Sequence, residues 1–475
     1  MAENRPITEK VPTTGMSQTV EWMMNRYSRQ RANFERRWYD NNFFDDGFHF
    51  RYMSRKTGRI IDKSDSPNSV SPIRAIPKAS LQIRGLANLL TSIDPHPTVY
   101  PEKIEMRNYP AQQDPKTGQT VRPEYEQAMD LAKESAQKAG HWIEEEWKNQ
   151  ELKKKLIQMI LGASKHGVSY LQIWPDAVKE KIRTQVFDAF DIYLSGNLTS
   201  IYDSPSIIKA YPELITNIKA NETFDESERQ NIHPDNRYAS SEVKEAYMNA
   251  RFGHGAVQDN QATLIVKEAF IKEYLSKENR KQVQELQDGD VLAGKKDGDM
   301  VMRHTFTTSN GTLLDEYVDL PEYPFADFRF EPGLIYQVPK IERFIPANKS
   351  LDVAMSRIEG YSNTMVTGVY QKRKGENFRI ANIPGGQVIE YDQVPLQQMN
   401  LSSVPAYMFK YIELLDQNIS EQGASVSTLN ELPSGVKSGV AIEALKQTEF
   451  SNLQITTDML RDTTVRITRR MLEIA

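Results

Sequence analysis

The sequence predicts an α+β chain, and three features carry that expectation. Apolar residues recur at helical spacing in the first 160 residues, strand-like runs punctuated by turn residues fill the middle, and helical periodicity returns from residue 348 onward. At roughly 100–200 residues per domain, 475 residues make two to four structural units. With 59 basic and 64 acidic residues the formal charge is −5, so the chain is not a polycation and any contact with nucleic acid must be local. No cysteine is present, which excludes a disulfide framework, thiolate metal sites, cysteine nucleophiles and thiol redox chemistry, and fits a reducing compartment or a particle assembled in one. The mean hydropathy is −0.60, no apolar run approaches the ~18–20 residues that cross a bilayer, and Met1–Lys10 is polar, so neither a membrane span nor a signal peptide is expected.

The elements follow in order. Met1–Gly15 reads as a flexible arm. From Ser17 to about Asn42, Val20, Met23, Met24, Tyr27, Phe34, Trp38 and Tyr39 mark an amphipathic helix, and Arg26, Arg29, Arg31, Arg36 and Arg37 give it a basic face open either to solvent or to a partner. A Pro- and Ser-rich loop, Ser64–Pro77, leads to a helix over Lys78–Ile93 with Ile83, Leu86, Leu89 and Leu90 on one side, stopped at Asp94-Pro95-His96-Pro97. Glu124–Gly162 is helical with breaks expected near Gly140 and Asn149, ending at Gly162 or Gly167. Val168–Trp174 and Lys181–Phe187 form a hairpin through Pro175-Asp176. Ser204–Asp259 is expected as helix and loop. Thr263–Leu275 and Val301–Thr308 read as strands, Asn310-Gly311 as a primed hairpin turn, and Pro321–Pro346 as an irregular packed segment.

Beyond residue 346 the pattern changes. Leu351, Ala354, Ile358, Tyr361 and Met365 form a narrow apolar seam along Asn348–Gln371, a helix of roughly 35 Å. A short excursion, Gln371–Ser403, contains strand-like Gln387–Tyr391 and the cluster Lys372-Arg373-Lys374. In Val404–Glu421, Met408, Ile412, Leu415 and Ile419 face inward, and Lys410, Glu413, Gln417 and Glu421 make a separate polar stripe. Val440–Ala475, free of proline and glycine, is expected as one helix of over thirty residues.

The motifs of catalysis fail one by one. No phosphate loop, dinucleotide fingerprint or H-E-x-x-H occurs, and His49, His96, His141, His166, His233, His254 and His304 are scattered without metal-ligand spacing. Ser434-x-x-Lys437 matches the S-x-x-K of serine acyl-enzymes, but both K-T-G copies, at Lys56 and Lys116, precede it and S-D-N is missing. Asp288–Asp299 imitates a calcium loop only at its ends, with Leu292 where a ligand belongs. Pro175-Asp176 with Glu180-Lys181 imitates a metal nuclease site at too close a spacing. No cofactor and no metal are therefore expected, and the chain is not expected to be an enzyme.

Four stretches, in their order along the chain, resemble the portal proteins of bacteriophages, the head-to-tail connectors, most of all those of short-tailed phages. They are Ser80–Leu90 ending at Asp94-Pro95; Leu161-Gly162-Ala163-Ser164-Lys165-His166-Gly167-Val168-Ser169-Tyr170-Leu171, similar to a helix-Gly-strand step; Asp188–Leu194 with Ile201-Tyr202-Asp203; and Leu432-Pro433-Ser434-Gly435-Val436-Lys437-Ser438-Gly439-Val440-Ala441 before the last helix. The resemblance implies a portal-type elongated subunit: a helical wing with β-hairpins over 1–347 including the N-terminal arm, stem helix 1 over 348–371, a small α/β clip over 372–403, stem helix 2 over 404–423, a tunnel loop over 424–438 and a long wing helix over 439–475. The uncapped end at Ala475 suggests that a C-terminal crown is absent or truncated.

It further implies a homo-oligomeric ring, a dodecamer, forming the DNA channel at one capsid vertex of the virion after assembly in the host cytoplasm. Its partners are then the terminase large subunit during packaging, neck, adaptor and tail proteins afterwards, the scaffold and major capsid protein, and double-stranded DNA without regard to sequence, passed inward and later ejected. On this reading Lys410, Glu413, Gln417 and Glu421 line the channel, where a net acidic wall lets DNA slide. Lys372, Arg373, Lys374 and Arg379 form a basic collar at the clip for motor or neck docking, and Asn430, Glu431, Ser434 and Lys437 lie in the tunnel loop, with Lys437 the foremost phosphate contact. The alternatives are another head or neck protein without a DNA channel, or a hydrolase with a dispersed site around His141, Glu144 and Glu145.

Overall fold

Thirty residues with an apolar side every seven or so build the first element. Helix α1 (Met16–Asp45) buries Val20, Tyr27 and Trp38 along one stripe, and Arg31 lies in the same stripe at 1% exposure. Its guanidinium donates to the carbonyls of Ala189, Phe190 and Ile192 at 2.9, 2.7 and 2.7 Å and stacks on Tyr193 at 3.6 Å. The expected basic face is thus divided: Arg31 is an internal staple, and Arg37 is held by Glu342. The structure, a computed structural model, describes residues 15–54, 60–63, 73–92, 97–101, 103, 112–113, 120–121, 123–176, 181–233, 263–287, 291–367, 369–375, 387–392, 405–422 and 453–474.

After the ribbon β1 (Arg51–Met53) and β2 (Ile60–Asp62), helix α2 (Lys78–Leu90) buries Ile83, Leu86 and Leu90. Two short strands, β3 (Gln112–Gln113) and β4 (Thr120–Val121), precede α3 (Pro123–Asn149). The helix runs unbroken through Gly140, against expectation. The chain bends at Glu151, whose φ of 50° is left-handed, and resumes as α4 (Leu152–His166). Gly162 stays helical, and α4 stops at Gly167, φ 86°, where a Cβ would lie 2.6 Å from the Gln337 carbonyl oxygen. Only glycine fits that step.

Strands β5 (Ser169–Asp176) and β6 (Lys181–Phe187) pair antiparallel, but Pro175 and Asp176 are ladder residues opposite Ile182 and Lys181 rather than the turn. A short strand, β12 (Phe325–Phe328), lies in the segment read as irregular and completes a three-stranded sheet, β12-β5-β6. The second sheet has the order β11-β10-β9-β8-β7 and is antiparallel throughout: β7 (Ile192–Tyr193), β8 (Ser206–Leu214), β9 (Thr263–Tyr274), β10 (Met300–Thr307) and β11 (Thr312–Val318). Strand β8 corrects the expectation of helix and loop from Ser204: Ile207 is buried on one face and Ile208 and Ala210 on the other, so a strand covered on both sides stands there. Small helices α5 (Ile215–Ala220) and α6 (Glu226–Gln230) follow β8, and α7 (Arg280–Leu286) precedes β10. The β10–β11 hairpin forms at Asn310-Gly311 as expected, but neither residue has the positive φ of a primed turn; a bulge at Phe306/Thr307 supplies the extra residue.

One face of the five-stranded sheet, with Ile208 and Ala269, packs on α1. The other, with Ile207, Phe270 and Met302, packs on Tyr170 and Phe325 of the three-stranded sheet. Helix α8 (Ile345–Thr367) ends four residues before the expected Gln371, because the chain passes into β13 (Val369–Arg373), which pairs in parallel with β14 (Gln387–Tyr391). Helix α9 (Ala406–Gln422) matches its expected span closely. The last helix, α10 (Gln454–Ile474), covers 21 residues, and the part expected from Val440 to Phe450 lies outside the described residues. It closes the three-stranded sheet with Leu460, Ile467 and Met471. Thr463 Oγ1 donates to the Asp327 carbonyl at 2.8 Å, Arg466 pairs with the Asp327 carboxylate at 3.0 Å, and Arg470 donates to the Tyr323 carbonyl at 2.9 Å.

Charges cross the sheet interior too. Burial opposes the charged form of His304, but its ring nitrogens meet Glu268 at 3.4 Å and Glu316 at 2.9 Å, and these carboxylates raise its pKa to about 9. Because the folded value exceeds the ordinary 6.5, the contribution of His304 is complete below pH 6.5 and is lost as pH rises through about 9. His304→Gln is expected to flatten the alkaline limb of a stability-against-pH curve measured by denaturant unfolding at pH 6 to 10; an unchanged slope refutes the assignment.

Candidate functional site

The two helices expected to carry the channel, α8 and α9, are set in place by a line of polar side chains. Asn348, Asp352 and Ser356 stand at i, i+4 and i+8 of α8, on one face, and all three are buried. Ser356 Oγ accepts from Arg74 N at 2.8 Å, Asp352 Oδ1 from Ile76 N at 2.8 Å, and Asn348 Oδ1 from Ala79 N at 3.0 Å; Asn348 Nδ2 donates to the Ile76 carbonyl at 2.9 Å. Pro77, at the start of α2, offers no side-chain cap. Asn348 therefore satisfies a free amide of the first turn of α2 from another helix. Asp352 Oδ2 lies 2.5 Å from His49 Nδ1, and the His49 ring stacks on Phe44 with centroids 4.0 Å apart. Beside this polar line, Phe44, Ile83, Ile341, Phe344 and Leu351 form an apolar layer that also takes in Leu415 and Ile419 of α9.

Helix α9 turns roughly 100° per residue, so its residues sort by face. Leu415 and Ile419 are buried and Met408 and Ile412 half-buried, as expected of an inward seam. Lys410, Glu413 and Gln417 are exposed on the opposite side, and the backbone of Glu421 continues the same stripe. Between the two faces stand large apolar side chains: Tyr407 is 72% and Leu414 56% exposed, with Tyr411 beside them, and Phe409 is exposed on the other flank. The helix thus carries an apolar face inward, a polar face outward and exposed apolar side chains on its flanks. The pattern of exposed aromatics on α9 is the feature that sequence reading missed; Tyr407, Phe409, Tyr411 and Leu414 fall outside the 408/412/415/419 seam, which was the available signal.

The clip residues are reached only in part. Arg373 and Lys374 are exposed at the end of β13, where Lys374 N donates to the Tyr391 carbonyl at 2.9 Å and its ammonium lies 3.9 Å from Asp392 at an exposed position of little energetic weight. Lys372 pairs through its backbone opposite Glu390 in the β13–β14 ladder. Arg379 lies outside the described residues, as do Asn430, Glu431, Ser434 and Lys437 of the expected tunnel loop. Of the hydrolase alternative, His141, Glu144 and Glu145 are exposed on α3, and among the described residues no three His, Asp or Glu side chains form a metal cage. Among the described residues no helix is long and apolar enough to cross a membrane.

A scan against protein-family models finds no match for this chain, and a search of curated proteins finds none either.

Asp352→Ala removes the acceptor of the part-buried Ile76 amide and of the buried His49 ring, at a cost of about 1–3 kcal/mol. The expected signature is faster hydrogen exchange at the Ile76 amide and in the first turn of α2; exchange rates equal to those of the parent chain contradict the role given to this side chain.

Proposed function

We propose that this chain is a portal-type subunit that assembles side by side into a ring around double-stranded DNA. The observation that supports the reading is the threefold division of α9: an inward seam, an outward polar stripe of Lys410, Glu413 and Gln417 that the backbone of Glu421 continues, and exposed aromatic flanks between them. In a ring, the flanks meet neighbouring subunits and the polar stripe faces the lumen. One basic and two acidic residues per stripe make that wall mildly acidic, so phosphates are repelled and bases are not read, as a conduit requires. Arg373 and Lys374, repeated by the ring symmetry, would form a basic edge for the packaging motor or for neck proteins. The α+β architecture, with the helix-Gly-strand step at Gly167, agrees with the resemblance in the sequence. Function is then mechanical: the subunit passes DNA inward during packaging and outward at ejection, at one vertex of the capsid, and performs no chemistry.

Electron microscopy of the purified chain is the deciding experiment. Rings with a central hole wide enough for duplex DNA are expected; monomers or filaments at every concentration refute the reading. Tyr411→Glu with Leu414→Glu places charge on the flank without touching the seam, and is expected to yield folded monomers by light scattering; rings of undiminished stability would remove the flank from the interface. Lys437→Glu is expected to shorten or destabilise the packaged DNA, and packaging and retention at parental levels would count against a phosphate contact there.

A further inference from the structure

The face of the five-stranded sheet turned away from α1 is covered at one end by the three-stranded sheet and at the other by α5 with Phe224 and Ile232. Between the two covers it opens as a cleft of about 1050 Å³, and none of its lining residues belongs to α8 or α9. Its floor is a closed circuit of buried charge. The Lys209 ammonium pairs with Glu268 and donates to Gln172 Oε1 at 2.7 Å, Gln172 Nε2 donates to Glu268 Oε1 at 2.9 Å, and His304 bridges Glu268 and Glu316. Two carboxylates, a lysine and a histidine thus satisfy one another, and the floor leaves little net charge for a ligand.

The walls and the mouth are different. Aromatic rings of Phe187, Tyr211 and Trp174 surround the Lys209 ammonium, with centroids 4.8, 4.8 and 5.9 Å away, so the walls already hold a cation against their faces. Around the opening stand Asp188, Asp191, Glu213 and Asp319, and Lys209 is the one lysine or arginine in the lining. The Asp188 and Asp319 side chains are 62% and 67% exposed; Lys295 pairs with Asp319 at 2.9 Å, so the uncompensated charge of the mouth rests mainly on Asp188 and Glu213. Carboxylates at the mouth of a low-dielectric cleft focus a negative potential into it. No metal cage accompanies them among the described residues, so a divalent ion is not the natural occupant. The volume lies at the upper end of the range for small-ligand sites and exceeds one side chain. Along one wall run Gln185, Val186 and Phe187 of β6, the outermost strand of its sheet; farther along that edge the Ile182 and Thr184 carbonyls accept from Gln150 Nε2 at 2.5 Å and Lys155 Nζ at 2.8 Å, so only the Gln185–Phe187 end of the strand borders the cleft.

We propose that this cleft binds a short peptide through an arginine or lysine side chain laid over the aromatic walls, outside the Lys209 ammonium, its cation held by the acidic mouth. The probe is the blocked dipeptide acetyl-Arg-Phe-amide, titrated calorimetrically into the full-length chain, with acetyl-Glu-Phe-amide and spermidine as comparison ligands. The arginine peptide is expected to bind, the glutamate peptide to bind at least tenfold more weakly, and Asp188→Asn with Glu213→Gln to weaken the arginine peptide about tenfold. Trp174→Leu, which keeps every charge, is expected to weaken it as well. Should the double variant fail to fold, Asp319→Asn on the exposed rim serves in its place, with a loss of a fewfold. Equal affinity for the glutamate peptide, or parental affinity in all variants, overturns the site; affinity for spermidine equal to that for the arginine peptide overturns the peptide as its ligand.

Discussion

Everything proposed for the channel depends on the buried line of Asn348, Asp352 and Ser356. These side chains do for the segment from Arg74 to Ala79 what a neighbouring strand does in a sheet: they satisfy its amides one after another. A helix that protrudes from a body needs a root that cannot rotate, and apolar contacts alone leave rotation about the helix axis weakly determined. Hydrogen bonds to fixed backbone positions remove that freedom, since a turn of one residue breaks all three, leaves the buried Ala79 amide without a partner and strands the buried Asn348 and Asp352 side chains. The direction of the polar stripe on α9 is inherited from this root through Leu351, Leu415 and Ile419.

The same logic appears at the other junctions. Arg31 joins α1 to the turn before β7, and Asp327 with Arg329 and Arg466 joins β12 to α10. In each case a fully buried charge finds partners from distant parts of the chain, so its desolvation is offset only when those parts are correctly assembled. Such contacts specify arrangement more than they add stability.

Much of this was legible in the sequence. Strand β6 and the helices α2 and α9 follow from their periodicity, because each has one buried and one exposed face, and β5, β9 and β10 follow from apolar and β-branched runs bounded by turn residues. What escaped has a physical reason in each case. Strand β8 is buried on both faces, so Ile207 and Ile208 are adjacent apolar residues and alternation vanishes. Gly140 has open space around it and no strained backbone, so it does not break α3; the bend falls at Glu151, a residue with no sequence signature for a left-handed φ. The α8 seam was read from Leu351 and Ala354, while the polar residues sharing its buried side were passed over because a buried Asp or Asn is recognisable only once its partners are known. At the candidate site the stripe on α9 was readable, since it repeats every three or four residues. The cleft was not: Lys209, Glu268, His304 and Glu316 come from four strands, and only pairing brings them together.

The placement of α10 has a consequence for synthesis. Asp327 receives Arg466 from 139 positions further along the chain, and the apolar layer around Leu171 and Phe328 is sealed by Leu460, Ile467 and Met471. At translation rates of 5–20 residues per second, that stretch takes about 7–28 s to emerge. For that interval α2, α3 and α4 can already pack on the sheet, but the part of the layer that α10 covers is still open to water, a transient apolar surface that only the end of the chain removes.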